Sequence, residues 1–137
     1  PCSCQSLAPP TRGRWGQELQ TAEVLRRLYV TGLSMGGYGA WDIIEREPKM
    51  FAAAIAVCGA GDPSRAASIA KMPVWAFHGD KDGVVPVSGS REMVAALKKA
   101  GGKPNYTEFP GVGHDSWGPA YATKGLWDWM LEQKRAE

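Results

Sequence analysis

The stretch YVTGLSMGGYGAW, residues 29–41, begins as an apolar run, breaks at Gly32-Leu33-Ser34-Met35-Gly36 and continues as sequence compatible with a helix. A Gly-x-Ser-x-Gly pattern between a strand and a helix is typical of a nucleophile elbow, a sharp turn that exposes a serine hydroxyl. Glycine is expected at Gly32 and Gly36 because side chains there would collide across the turn. The pattern predicts Ser34 in strained backbone, with the N–H of Met35 facing the point where a substrate carbonyl oxygen becomes negative.

Length and composition narrow the class of protein. The 137 residues have room for one domain with one core. The formal net charge is +2, and the mixed charges form no basic stripe of the kind that binds nucleic acid. No apolar stretch is long enough to span a bilayer, and Pro1–Gly16 lacks the apolar centre of a signal peptide. We therefore expect no nucleic-acid partner, no membrane association and, by default, a cytoplasmic location.

The three cysteines do not predict a disulfide framework. Cys2 and Cys4 lie in a tail rich in proline and serine, where a frayed terminus is expected. They could bind a metal only with further ligands. Cys58 follows an apolar run and is interpreted as a small buried hydrophobic residue. We therefore expect no metal and no cofactor.

Apolar runs alternate with helical periodicity along the rest of the chain, which favours a parallel sheet covered by helices on both faces. The predicted strands are 28–31, 52–57, 74–77 and 105–109, and the predicted helices are 17–27, 35–46, 65–70, 87–100 and a final one from Leu126 onward. The fold class is therefore α/β, with a mostly parallel sheet of about four strands. Functional groups in such sheets gather in the loops at the carboxyl ends of the strands.

Three of these loops carry the residue types of a nucleophilic hydrolase. Ser34 needs a base to take its proton, and a neutral imidazole such as that of His114 suits this near neutral pH. A carboxylate on the other ring nitrogen would fix the tautomer and stabilise the imidazolium, and Asp82 fits this role. The order serine, aspartate, histidine is the one expected of an α/β-hydrolase.

Other residues compete for these roles. Asp80 could be the acid, but the later position of Asp82 along the loop favours Asp82. Asp115 adjoins the predicted base and is interpreted as a surface or loop-capping carboxylate. His78 could be a second base, but a histidine at a strand end is more often a hydrogen-bonded loop residue, and we prefer that interpretation.

The chain resembles the α/β-hydrolase superfamily, in particular the dienelactone-hydrolase-like and polyhydroxybutyrate-depolymerase-like esterases, from about Leu28 to the C-terminus. The matching stretches are GLSMGGYGAW at 32–41, FHGDKD at 77–82, VVP at 84–86 and PGVGHDSW at 110–117. The resemblance implies Ser34 as nucleophile, Asp82 as acid and His114 as base, in agreement with the chemistry of the residues. Gly83 departs from the proline that often follows the acid in such proteins.

Residues 1–27 are expected to form an irregular arm with a short helix, and residues 28–137 a shortened α/β-hydrolase domain. Proteins of the family normally have several strands before the elbow strand, and a loop from that part supplies a second oxyanion-hole N–H. We therefore expect Met35 to be the one oxyanion donor from this part of the chain. The edge of strand 28–31 would be unpaired, which predicts a homo-oligomer formed through that edge.

These inferences predict a serine carboxylesterase that acts on small or short-chain esters through an acyl-enzyme. Trp117 and Leu33 are the predicted substrate-binding residues, with Trp117 as a wall of the pocket. A peptidase or thioesterase with the same catalytic residues is an alternative, because the same groups attack all three types of carbonyl. A non-catalytic hydrolase remnant that acts as an oligomeric scaffold or binding module is the alternative from another class.

Overall fold

The computed structural model describes residues 23–135, and in that range four parallel strands form one sheet in the order β1-β2-β3-β4. The strands are β1 (Tyr29–Leu33), β2 (Ala53–Val57), β3 (Val74–Gly79) and β4 (Asn105–Phe109). The helices are α1 (Met35–Arg46), a 3-10 helix (Pro63–Ile69), α2 (Val87–Lys99), α3 (Trp117–Tyr121) and α4 (Leu126–Glu132). The predicted parallel sheet of about four strands is confirmed.

Two layers of helices cover the sheet. Alternate residues of β2 and β3 point to opposite faces, and each face carries its own apolar cluster. On one face α1, the 3-10 helix and α2 pack on the sheet through Trp41, Ile44, Ile69, Met93 and Leu97. On the other face Ile55, Val57 and Phe77 pack against Leu126 and Met130 of α4. All five residues of β2 are buried, as a central strand of a covered parallel sheet requires.

β1 is an edge strand within the described part of the chain. It pairs only with β2 there, from Tyr29 opposite Ala53 to Leu33 opposite Val57. The pairing carries β1 two residues beyond the predicted strand end at Thr31, directly to the turn at Ser34. Self-association through the outer edge of β1 stays a prediction. In residues 23–135, no helix combines the length and apolar character needed to cross a bilayer.

The predicted element boundaries hold to within a few residues, with two differences. The structure adds α3, a five-residue helix that the sequence did not predict. It also extends β3 through His78 and Gly79, which were predicted to begin the following loop. Of the predicted helix at 17–27, residues 23–25 are helical. The remainder, together with the predicted arm up to residue 22 and with Cys2 and Cys4, lies outside the described residues.

The start of α1 packs against the end of β2 through two glycines. A Cβ on Gly37 would lie 2.5 Å from the carbonyl oxygen of Val57 and 3.1 Å from the Cα of Gly59. A Cβ on Gly59 would in turn overlap the backbone of Gly37. Helix and strand therefore approach closely enough that neither position accommodates a side chain.

We expect Gly37→Ala to destabilise the protein by about 1–3 kcal/mol, because the added methyl group forces α1 away from β2. Gly39→Ala is the matched control: it lies in the same helix, and a Cβ there meets nothing within 4 Å. Since alanine favours a helix over glycine, Gly39→Ala should raise the free energy of unfolding by up to about 1 kcal/mol. Urea denaturation of both variants measures the difference, and equal stabilities would contradict the close approach.

Candidate active site

Ser34 lies between β1 and α1 in strained backbone, with φ 52° and ψ −119°. Its N–H donates to the carbonyl oxygen of Val57 at 3.0 Å and lies 3.3 Å from the Sγ of Cys58. A Cβ on Gly32 would collide with the backbone of Gly36, which confirms the need for glycine at position 32. The corresponding expectation for Gly36 is wrong, because a Cβ there meets nothing within 4 Å. The turn is tight on the strand side and open on the helix side.

The structure brings the three predicted site residues into one hydrogen-bonded row. The Oγ of Ser34 lies 2.7 Å from the Nε2 of His114. The Nδ1 of the same ring lies 2.9 Å from the Oδ2 of Asp82. Each residue follows a strand at the carboxyl edge of the sheet: Ser34 follows β1, Asp82 follows β3 and His114 follows β4. This geometry allows a proton to pass from the serine hydroxyl to an imidazole that a carboxylate orients.

The side chain of Asp82 is fully buried, whereas that of His114 is about one-fifth exposed. The Oδ1 of Asp82 accepts hydrogen bonds from the N–H groups of Val84 at 2.9 Å and Val85 at 2.8 Å. Burial alone raises the pKa of the Asp82 carboxyl, but hydrogen bonds from His114, Val85 and Val84 outweigh it. The pKa therefore lies below its usual value, and the carboxyl group is ionised at neutral pH.

The aspartates that competed with Asp82 lie outside this row. The Oδ1 of Asp80 accepts a hydrogen bond from the N–H of Gly111 at 2.6 Å, which ties the loop after β3 to the loop after β4. Asp115 is exposed, as a surface carboxylate would be. Asp82, and not Asp80, contacts His114, and its role as the acid stays a prediction.

Of the residues predicted to bind substrate or the oxyanion, Leu33 and Met35 adjoin Ser34 in the sequence, and Trp117 contacts His114. The Trp117 ring meets that of His114 edge to face, with ring centres 5.6 Å apart, so its contact is with the imidazole. Leu33 is 38% exposed and Met35 85% exposed beside the serine. Met35 begins α1, where a backbone N–H has no partner within the helix. The substrate and oxyanion roles of these residues stay predictions.

Cys58 has a closer relation to the site than the sequence indicated. It is fully buried, as predicted, but has φ 41° and touches the N–H of Ser34. Its Sγ and ligand atoms of Asp82 and His114 lie within 4.8 Å of one another. Burial raises the pKa of the Cys58 thiol, which opposes the thiolate form that a metal ligand requires. The cluster is therefore better suited to hydrogen bonding than to holding a metal.

The chain has the α/β-hydrolase fold. Its serine lies in a strained strand-to-helix turn at the carboxyl edge of a parallel sheet and is hydrogen-bonded to a histidine. Comparison with protein families then gives a particular assignment. Residues 17–121 match the dienelactone hydrolase family, and the chain belongs to this family. Comparison with curated proteins gave no match.

Solved structures agree with this assignment. A thermostable esterase is 40% identical, with a TM-score of 0.79, over 87% of this chain and 36% of its own. Esterase PE8 is 32% identical, with a TM-score of 0.65, over 82% of this chain and 54% of its own. The acylaminoacyl peptidase of Pyrococcus horikoshii, 19% identical over 72% of this chain and 22% of its own with a TM-score of 0.62, shows the fold alone. The chain thus spans about a third to a half of the esterases it matches.

Proposed function

We propose that the protein is a serine carboxylesterase with Ser34 as nucleophile, His114 as general base and Asp82 as the acid that orients the base. The observation that carries the proposal is the 2.7 Å contact between the Ser34 Oγ and the His114 Nε2, with Asp82 on the opposite ring nitrogen. The two esterases among the similar structures support the choice of an ester as substrate.

In this mechanism the Oγ of Ser34 attacks the ester carbonyl while His114 takes the hydroxyl proton. Asp82 stabilises the imidazolium that forms, and the N–H of Met35 donates to the negative oxygen of the tetrahedral intermediate. His114 then gives its proton to the leaving alcohol, which leaves an acyl group on Ser34. A water molecule activated by His114 releases the acid and restores the serine.

The proposed substrates are small or short-chain esters. Between β2 and β3 the structure has one 3-10 helix of seven residues, Pro63–Ile69, which is too short to form a large lid over the site. The exposed side chain of Met35, which adjoins Ser34 in the sequence, offers apolar contact to an acyl chain without enclosing it.

The substrate class is tested by hydrolysis of p-nitrophenyl acetate, butyrate and palmitate, with an amide and a thioester of the same acyl groups in parallel. We expect kcat/KM to be highest for the short esters. Faster turnover of the amide or the thioester would replace the esterase by a peptidase or a thioesterase. Labelling of Ser34 by a fluorophosphonate separates these enzymes from a non-catalytic protein, whose serine would not react.

The proposed base predicts a pH dependence. A protonated imidazole cannot accept the Ser34 proton, so a histidine base predicts a rise in kcat/KM from about pH 5 to pH 8. Asp82 does not contribute to this rise, because its lowered pKa keeps the carboxyl ionised throughout that range. The profile is measured with p-nitrophenyl butyrate at constant ionic strength, and a flat profile would argue against a histidine base.

A further inference from the structure

His78 contacts the same carboxylate oxygen of Asp82 that His114 contacts. The expectation that His78 is a hydrogen-bonded residue is confirmed, but its placement in a loop is wrong, because His78 belongs to β3 and its side chain is fully buried. Its Nε2 lies 3.2 Å from the Oδ2 of Asp82 and 3.0 Å from the carbonyl oxygen of Val85. The Oδ2 of Asp82 therefore contacts two imidazole rings, that of His114, which is about one-fifth exposed, and that of His78, which is inaccessible to solvent.

The partners of the ring place a proton on the Nε2 of His78. A backbone carbonyl and an ionised carboxylate are both hydrogen-bond acceptors only, so the nitrogen that faces them must be a donor. The Nε2–H of His78 donates to the carbonyl oxygen of Val85, and its partial positive charge also faces the Oδ2 of Asp82. Because Val85 also donates its own N–H to the Oδ1 of Asp82, His78 fixes the residue that holds the carboxylate.

The opposite ring nitrogen connects His78 to the rest of the fold. Its Nδ1 lies 2.7 Å from the Oγ of Ser90, a buried residue of α2. The Oγ of Ser90 also lies 3.0 Å from the carbonyl oxygen of Gly59, just beyond the end of β2. The ring thus joins the loop that carries the acid to α2 and to the segment that packs against the elbow helix.

The loop that carries Asp82 has little packing of its own. A Cβ on Gly83 would meet nothing within 4 Å, and Val84 is 71% exposed. Val85 is the buried residue of this turn, at 6% exposure, and its carbonyl group bonds to His78. The carboxylate position consequently depends on a few hydrogen bonds, of which His78 supplies the one that reaches into the sheet.

We propose that His78, supported by Ser90, is a positioning residue that holds the loop Asp82–Val85 so that the Oδ2 of Asp82 stays in contact with His114. This inference rests on the proposed roles of Ser34, His114 and Asp82. His78 does not touch the substrate and acts through Asp82. The donor at Nε2 is the functional group, so a side chain with an N–H at the same place should replace it.

The test compares His78→Leu, which fills the buried position with an apolar side chain and removes the donor, with His78→Gln, whose amide N–H can reach the position of Nε2. We expect His78→Leu to lower kcat for p-nitrophenyl butyrate by about ten- to a hundredfold, the scale on which outer partners act at metal sites. The KM should change less than about twofold, because positioning of the acid affects the transition state rather than substrate binding. His78→Gln should recover most of the activity.

A second readout does not depend on turnover. A histidine N–H bonded to a carboxylate gives a far-downfield proton NMR signal, here from His114 Nδ1–H. We expect this signal in the wild type and in His78→Gln, and its broadening or loss in His78→Leu. Ser90→Ala should lower kcat by itself but add little in the His78→Leu background, since Ser90 acts through the ring.

Ile69 provides the control for general loss of stability. It is a buried residue of the 3-10 helix, and Ile69→Val and Ile69→Ala bracket losses of about 0.5–5 kcal/mol. Both should keep the wild-type kcat at temperatures where they are folded. If His78→Leu does not fold, His78→Gln and Ser90→Ala are compared in the same way.

The outcomes separate this inference from the proposed function. Wild-type hydrolysis that vanishes in Ser34→Ala but persists at full kcat in His78→Leu would overturn the positioning role alone. Equal losses in His78→Leu and His78→Gln would also overturn it, because the N–H would then not be the active group. If the wild type does not hydrolyse esters, the proposed function fails, and the NMR signal alone decides whether His78 holds the Asp82–His114 contact.

Discussion

Replacing Ser34 with alanine is expected to lower kcat for p-nitrophenyl butyrate by at least about a thousandfold. The change removes one oxygen atom, the one that lies 2.7 Å from the Nε2 of His114. His114 and Asp82 remain, but without the nucleophile no acyl-enzyme forms, and binding with oxyanion stabilisation alone leaves only a small residual rate. The measurement is steady-state hydrolysis, together with covalent labelling by a fluorophosphonate, which should disappear.

The matched control for this change is Ser68→Ala. Ser68 is an exposed serine of the 3-10 helix whose hydroxyl donates to the carbonyl oxygen of Arg65, remote from the carboxyl edge of the sheet. Its replacement should leave both hydrolysis and labelling unchanged. Ester hydrolysis that continued at the wild-type rate in Ser34→Ala would show that another group performs the reaction, and the proposed mechanism would be wrong.

The fold was predictable because its elements have strong local signals. The apolar run of β2 and the helical period of α1 stand out in the sequence, and α1 has the predicted bounds Met35–Arg46. Helix α3 was missed because Trp117–Tyr121 is five residues long and contains both glycine and proline, so its period is too short to recognise. Such a helix forms because Ala120 packs into the core, which is a tertiary effect.

The site likewise contains residues that the sequence could identify and one that it could not. Ser34, Asp82 and His114 could be selected because each follows a strand and has the chemistry for one step. The position of His78 could not, since its role depends on contacts with α2 and with the loop after β3, which are distant in sequence or set by loop conformation. The sequence does show a histidine four residues before Asp82, but the same pattern fits a hydrogen-bonded loop residue.

Glycines show the limit of motif reasoning most directly. The pattern around Ser34 assigns equal importance to Gly32 and Gly36, yet only Gly32 faces backbone at a distance that excludes a Cβ. Gly37 lies outside the pattern and is nevertheless excluded from carrying a side chain by Val57. Whether a glycine is required depends on which element approaches it, and a linear pattern does not contain that information.

Replacing Asp82 with asparagine is expected to lower kcat by about 10³- to 10⁴-fold while leaving the fold intact. The amide oxygen can still accept the N–H groups of Val84 and Val85, which hold the loop. The amide nitrogen, however, would present a donor to the Nδ1 of His114. The ring must then carry its proton on Nε2, the atom that faces Ser34 at 2.7 Å, so it can no longer accept the serine proton.

Asp80→Asn is the matched control, since it makes the same chemical change two residues earlier. The amide oxygen can keep the hydrogen bond from the N–H of Gly111, so kcat should stay within about threefold of the wild type. Kinetics and thermal melting of both variants give a direct comparison of the two candidate acids. A large loss in Asp80→Asn with little loss in Asp82→Asn would reverse their roles. The structure makes that outcome unexpected, because His114 contacts the carboxylate of Asp82 at 2.9 Å.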